Sequence, residues 1–567
     1  VTLDTSSWSN SGKFVDWAEA YFTIPMIMVA YPSGAAAIPG WDAWDAAWMV
    51  GIKNGHQQLV DSFSVDVQNS SVIQLTRYTN IYTTYRMLTS MSKDDLANIA
   101  PSLGFFPDTS DSFDYTAAAS AGGQGSQNNL VWGFEKIYPS NGGLLYSAIT
   151  TTGPGFAVAA ALTQGVADDT LLYGANVPSS SSIKTLANVG LYQRIKLLAF
   201  NPAVAPYSTL LTTANTTKLL KNYYFSVAGS VANEGYKAWS YIAKIRLKDL
   251  SSVFEQFGLV RGLYCRFILN INTCTAQFTT APVAATASTP ATSTITQGST
   301  QCTYGTCPFM VTSFAPGQPN STLAEFYTNA TTFTVKNGIG SVEFNEISGT
   351  NRKVSAMANQ VRLYGPLIVL SPTAEEQYLS LNPTRKIIYR DIYEYNANDI
   401  TDDFNVLLSN GLVNTKTLIV VPFFTKTENG TGLNISPLQS AFCSEPGTTS
   451  PLCAITNYNV ALAGVNIYQN NYLYDWEAFI TELNMINSVN GNLITGFSSG
   501  LITEYDYSNI YRYYVTDLSR RVAAEDYVPK SLQILGQNLN SRKVDLYCFV
   551  EVEKSIVLNT SSGERLE

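Results

Sequence analysis

The chain has 567 residues, more than one hydrophobic core can serve, since single cores stop growing near roughly 250–300 residues. Charged residues make up only 14% and the formal net charge is −9, which argues against a basic coat laid directly on nucleic acid, because that needs clustered Lys and Arg to displace counterions. The 34 Tyr and 26 Phe favour β structure, since aromatic rings fit pleated surfaces, and they suit a low-charge surface built for protein contact.

The opening VTLDTSSWSN has neither the basic start nor the apolar run of a secretory leader, and Val1 leaves room for processing or trimming. Residues 21–40 are the most apolar stretch, yet Pro25, Pro32 and Pro39 argue against a membrane span. SFSVDVQNSSVIQ (62–74) alternates apolar and other residues as two half-buried strands around a turn do, and a helix-like stretch follows near 82–90. From about 100 to 235 the chain is rich in Gly, Ser, Thr and Ala and reads as large loops inserted between strands. GLYCRFILNI (262–271) puts Leu263, Cys265, Phe267, Leu269 and Ile271 on one face. TTAPVAATASTPATSTITQGSTQ (279–301) is small residues and Pro without periodicity, and is expected to be an exposed loop or linker.

Further on, Pro372 begins a helix that Thr373 and Glu376 are expected to cap as a box. RKIIYRDIYEY (385–395) places Ile387, Tyr389, Asp391, Tyr393 and Tyr395 on one face, and TLIVVPFF (417–424) reads as a fully buried strand. Many short strands, few helices and long loops predict an all-β chain of sandwiches.

The two halves repeat. Residues 62–74 align without gaps on NYNVALAGVNIYQ (457–469), and both lead into helix-like segments, the second being YDWEAFITEL (474–483). LKDLSSVF (247–254) then resembles VTDLSRRV (515–522), and GLYCRFILNI (262–271) resembles DLYCFVEVEK (545–554), in the same order. The expected division is 1–315 and 316–567, with Leu263 corresponding to Leu546 and the large insertions in the first unit.

The chemistry census is short. The one histidine, His56, rules out HExxH sites, Cys–His pairs and a triad at Gly496–Phe497–Ser498–Ser499–Gly500, where the base His would have to follow the Ser. That motif reads as a Gly/Ser turn. AGGQGSQNN (121–129) lacks the Lys-Ser/Thr of a P-loop. Acids such as Asp475 and Glu477 leave only a carboxylate chemistry open, and two residues apart on a helix they do not face each other. Arg520, Arg521 and Lys530 read as solvated charges. No catalytic, cofactor or metal residue is assigned. Cys265 and Cys548 read as core residues, while Cys302/Cys307 and Cys443/Cys453 could each be a disulfide or two thiols, with thiols favoured. Sequons at Asn69, Asn215, Asn320, Asn329, Asn429, Asn434 and Asn559 permit glycosylation without showing it.

The second half resembles the major capsid proteins of polinton-like viruses and virophages. The resemblance is carried by VRLYGPLIVLSPTAEEQYLS (361–380), RKIIYRDIYEY, FNVLLSNGLVNTKTLIVVPFF (404–424) and NYNVALAGVNIYQ, then YRYYVTDLSRR (511–521), VPKSLQILGQN (528–538) and VDLYCFVEVE (544–553). In the first half only WAEAYFTIPM (17–26) and TCPFMVTS (306–313) look similar. The resemblance implies two tandem jelly rolls, no catalytic residues, and a homotrimer of six rolls tiling an icosahedral shell. Neighbouring capsomers, penton and minor or cement proteins would be its partners and the virion its location. The alternative is a secreted β-sandwich that binds carbohydrate or cleaves glycosides through carboxylates.

Overall fold

The computed structural model describes residues 1–34, 49–108, 190, 194, 224–228, 235–283, 292–312, 331–347, 349–356, 360–425, 436–441, 444–450, 453–489, 498–519, 527–540 and 542–566. The inserted region expected from about 100 to 235, AGGQGSQNN included, lies mostly outside them.

The first half contributes β1 (Thr2–Asp4), β2 (Tyr21–Pro32), β3 (Val60–Val67), β4 (Ser70–Thr76), helix α1 (Thr79–Ser90), β5 (Gly235–Arg246), β6 (Cys265–Ile271), β7 (Cys274–Val283), β8 (Thr292–Cys302) and β9 (Thr331–Ile339). One sheet runs β1-β6-β3-β4 and the other β8-β7-β9-β2-β5, with Tyr224–Ala228 beside β5 and Arg362–Tyr364 on β2. Alternation in β6 turns Cys265, Phe267, Leu269 and Ile271 inward. Phe267 meets Phe22, Phe63, Trp17 and Phe254, with ring centroids 5.4–6.3 Å apart. These rings fill the space between the sheets.

The second half holds helix α2 (Pro372–Leu381), then β10 (Thr384–Ile400), β11 (Asp403–Leu412), β12 (Thr415–Phe424), β13 (Ile455–Leu462), β14 (Val465–Asn466), helix α3 (Trp476–Val489), β15 (Tyr514–Asp517), β16 (Lys530–Asn538) and β17 (Val544–Asn559). Its sheets run β10-β17-β12-β15 and β11-β16-β13-β14. Numbered one to eight along the chain, these are orders 1-8-3-6 and 2-7-4-5, the winding of an eight-stranded jelly roll, which closes two sheets over one core. Ile387, Tyr389 and Asp391 do share the buried face of β10, and β12 is buried at every position, as its apolar run predicts.

The first half repeats that winding. Its sheet β1-β6-β3-β4 takes places 2-7-4-5, and β9-β2-β5 takes places 8-3-6. The place of strand one, beside β9, is filled by β7, which continues β6 after two residues and folds back as β8. The chain is a double jelly roll.

The strand pairing revises several expectations. Within the stretch expected to be a loop, the described residues 279–283 and 292–301 are strand, part of β7 and β8, with Thr280 opposite Ile295. Thr-rich, β-branched sequence fits a pleated edge although it lacks an apolar stripe. β3–β4 and β13–β14 correspond in place, and each leads to a helix, α1 or α3. The second matched pair does not correspond: β6 holds place seven and β17 place eight, so the counterpart of β6 is β16. Period-two alternation marks a half-buried strand in either sheet and cannot say which. Pairing also carries the first roll past 315, because β9 bonds β2, and Leu367–Ile368 bonds Phe14–Asp16. Helix α2 is capped by Ser371, which accepts from the Ala374 amide at 3.4 Å, rather than by Thr373. Finally, Tyr458, Tyr474, Tyr507, Tyr513 and Tyr514 are fully buried and not surface residues. The hydroxyls of Tyr458, Tyr474, Tyr507 and Tyr514 find partners inside, as where Tyr514 accepts the Ile455 amide at 2.8 Å. Among the described residues no helix is long and apolar enough to cross a membrane.

Candidate functional site

The most elaborate constellation of charged and polar side chains lies on the seam between the rolls. β17 alternates between two buried faces. Leu546, Cys548, Val550 and Val552 pack with the core of the second roll, while Tyr547, Phe549 and Glu551 face α1 of the first. Helix α1 answers with aromatic residues. Tyr78 sits edge-on to Tyr547 at 4.8 Å, Tyr82 lies 5.9 Å from Phe549, and Tyr85 is edge-on to Tyr513 at 5.2 Å.

A charge sits inside this apolar layer. Arg390 Nη1 donates to Glu551 Oε2 at 2.8 Å, and the Tyr82 hydroxyl donates to Oε1 at 2.6 Å. Burial pushes the Glu551 carboxyl up, but the Arg390 guanidinium and the hydrogen bond of Tyr82 outweigh it and hold it below its usual range. Burial, with the Glu551 charge second, drives the Tyr82 phenol well above its ordinary value, so it stays a donor. Beside it, Lys554 Nζ meets buried Asp391 Oδ2 at 2.6 Å. A narrow cavity of about 130 Å³ opens between Arg86, Lys248, Arg390 and Glu551, well below the roughly 300 Å³ at which ligand pockets begin.

Six further polar contacts, in three places, tie the rolls. The Tyr389 hydroxyl donates to the Val72 carbonyl at 2.8 Å, and Thr76 Oγ1 to that of Ile392 at 2.7 Å. Lys53 Nζ donates to the Glu445 carbonyl at 2.5 Å, and Asn54 Nδ2 to that of Gly447 at 2.8 Å. Near the C-terminal end, Gln68 Nε2 donates to the Gly563 carbonyl at 2.9 Å, and Arg261 pairs with Glu375. This arrangement holds two sandwiches at a fixed relation, and the groups are used up by one another rather than aimed at a substrate.

The residues singled out in the sequence fall elsewhere. His56 is buried, its ring stacked on Tyr241 at 5.9 Å, and its Nδ1 accepts the Lys244 amide at 3.1 Å. Burial lowers its pKa to about 4, so it is neutral at pH 7. Of the G-x-S-x-G stretch, Ser498 to Gly500 are described: the Ser499 hydroxyl donates to the Ile502 carbonyl at 2.7 Å, and Gly500 turns at φ +67°. A Cβ there would lie 2.3 Å from the Leu88 carbonyl oxygen, so the glycine lets this turn press on the end of α1. Asp475 accepts the Ala478 amide at 3.1 Å at the start of α3, and Glu477 is exposed. Lys530 is buried at the start of β16, while Arg520 and Arg521 lie outside the described residues. Cys265 and Cys548 are in the core, as read. Cys302 lies nearest Cys274, its partner across β7–β8, and Cys443 lies outside the described residues. Of the sequons, Asn69 and Asn559 are described, and Asn559 Oδ1 is occupied by Ser561. Among the described residues no group of three His, Cys, Asp or Glu is placed to hold a metal ion.

Sequence reasoning missed Arg390 and Glu551. The one available signal was a charge on the apolar run of each strand, which the alternation alone assigns to solvent.

No protein-family profile and no curated protein matches the chain. Among solved structures it is similar to the Sputnik virophage structure from cryo-EM, with 10% identity, TM-score 0.41, and coverage of 100% of this chain and 84% of that one. It is also similar to the mavirus major capsid protein, with 7% identity, TM-score 0.37, and coverage of 100% and 86%. For the Faustovirus major capsid protein the values are 8%, 0.34, 98% and 87%.

Proposed function

We propose that the chain is a viral major capsid protein, a structural subunit without catalytic function, that forms homotrimers tiling an icosahedral shell. The observation that carries this reading is the paired winding: two jelly rolls in one chain, locked across a buried seam. Three such subunits around a threefold axis present six rolls, so a trimer can fill a near-sixfold position in a closed shell. The sequence resemblance of residues 361–553 to virophage-type capsid proteins supports the same reading.

The two units divide between Ile368 and Thr384 on this proposal, since strand pairing of the first roll continues to Ile368. Trimer contacts are obligate, above roughly 2,000 Å² per interface. The connector between the rolls offers exposed apolar side chains to such a contact: Val369 is 72% and Leu381 80% exposed. Neighbouring capsomers, penton and minor or cement proteins are the further partners, and the virion shell is the location.

Sedimentation and negative-stain imaging of the purified protein test this. Trimers of hexagonal outline are expected at micromolar concentration. A stable monomer that binds a glycan array would instead favour the secreted carbohydrate-binding alternative.

A further inference from the structure

Three of the cysteines meet in one place. Cys274 opens β7, Cys302 closes β8, and the two are cross-strand partners with sulfurs 2.7 Å apart. The Thr303 amide donates to the Thr273 carbonyl at 2.8 Å, so that neighbouring pair is the hydrogen-bonded one. The 274/302 pair is then non-hydrogen-bonded, the position where Cα atoms approach to about 4.5 Å and side chains lie closest. That falls within the Cα range of disulfides, and a bond of about 2.05 Å needs the sulfurs to close by well under an ångström. The Cys307 thiol is buried and donates to the Phe309 carbonyl at 3.4 Å. Cys302 is the partly exposed member, while Cys274 and Cys307 are buried.

We propose that Cys274 and Cys302 are an oxidation site that forms a cross-strand disulfide, with Cys307 left as a thiol. The oxidant is a low-molecular-weight disulfide of the glutathione type. The Cys302 thiolate attacks one of its sulfurs, breaking that S–S bond and expelling one small thiolate. Cys274 then attacks Cys302 Sγ, breaking the mixed disulfide and expelling the second. The two protons lost by the protein thiols end on the two small thiols, so two cysteines are oxidised and one small disulfide is reduced.

The bond would staple the hairpin on which part of the second roll rests. Gln297 of β8 donates to the Gln439 carbonyl at 3.0 Å and accepts the Ala441 amide at 2.7 Å, and the Cys307 amide donates to the Leu438 carbonyl at 2.8 Å. Closing the pair fixes the base of that contact.

Peptide mapping tests the site. The reduced full-length protein is incubated with oxidised glutathione, alkylated and cut with chymotrypsin, and cleavage after Phe278, Tyr304 and Phe309 puts the three cysteines on separate peptides. A Cys274–Cys302 linked peptide is the expected product, with Cys307 alkylated. Oxidation should raise Tm by on the order of 5 °C, and Cys302→Ser should abolish that rise. A predominant Cys302–Cys307 link, or three cysteines still fully alkylated after oxidation, overturns the proposal. The wild-type map decides this even where the variant does not fold.

Discussion

The Tyr82 hydroxyl of the first roll donates to Glu551 Oε1 of the second at 2.6 Å, inside a layer of aromatic rings. It is a fixed polar point among these rings, joining α1 to β17. Burying a carboxylate is tolerable there only because Arg390 and Tyr82 both supply donors.

Tyr82→Phe removes one donor and leaves Oε1 short of a partner. The expected cost is about 1–3 kcal/mol, measured by chemical denaturation at pH 7. Glu551 has a folded pKa below its unfolded value, so its contribution is present above roughly pH 4.3 and is lost as pH falls through the lower folded value. The gap between wild type and Glu551→Gln should therefore shrink on acidification.

His56 gives a separate pH signature. Its folded pKa of about 4 lies below the unfolded value, so the unfolded chain takes up a proton between roughly pH 6.5 and 4 while the folded chain does not. Stability should fall as pH drops through that window, by roughly 3 kcal/mol in all. His56→Asn, which keeps an acceptor for the Lys244 amide, should flatten the stability–pH curve there; an unchanged slope would show that the imidazole is not its source.

Gly500→Ala should destabilise by about 2–3 kcal/mol, because a Cβ would meet the Leu88 carbonyl at 2.3 Å from a left-handed backbone. Ser498→Ala, in the same motif, should leave stability within about 1 kcal/mol. Thermal unfolding of both variants separates a packed turn from a nucleophile motif.

Lys554→Ala strands the buried Asp391 carboxylate. We expect a loss of about 2–3 kcal/mol, less than for a fully enclosed pair because Lys554 is partly exposed, and partial recovery in Lys554→Ala/Asp391→Asn. A double-mutant cycle measures the coupling.

Val369→Asp with Leu381→Asp should move the protein from trimer toward monomer in sedimentation while leaving its circular dichroism unchanged. Both side chains are exposed in the single subunit, so loss of fold would place them in internal packing instead.

The sequence by itself determined the strands whose side chains answer to local pattern. Alternation in 62–67, 263–271 and 385–395 and the apolar run at 417–424 each became a strand with the expected buried face. The lone histidine at position 56 likewise left the G-x-S-x-G stretch without a following base, from the sequence alone. Only the tertiary structure decided which sheet each strand joins, because period-two alternation is the same in places seven and eight. That is why β6 and β17 looked equivalent and are not. It also decided that Thr-rich residues 279–283 pair with 292–296 as strands, since a sheet edge can form through backbone bonds without an apolar face. And it alone brought Tyr82, Arg390 and Glu551 together across hundreds of residues, because a buried charge is stable only beside partners that the folded chain supplies.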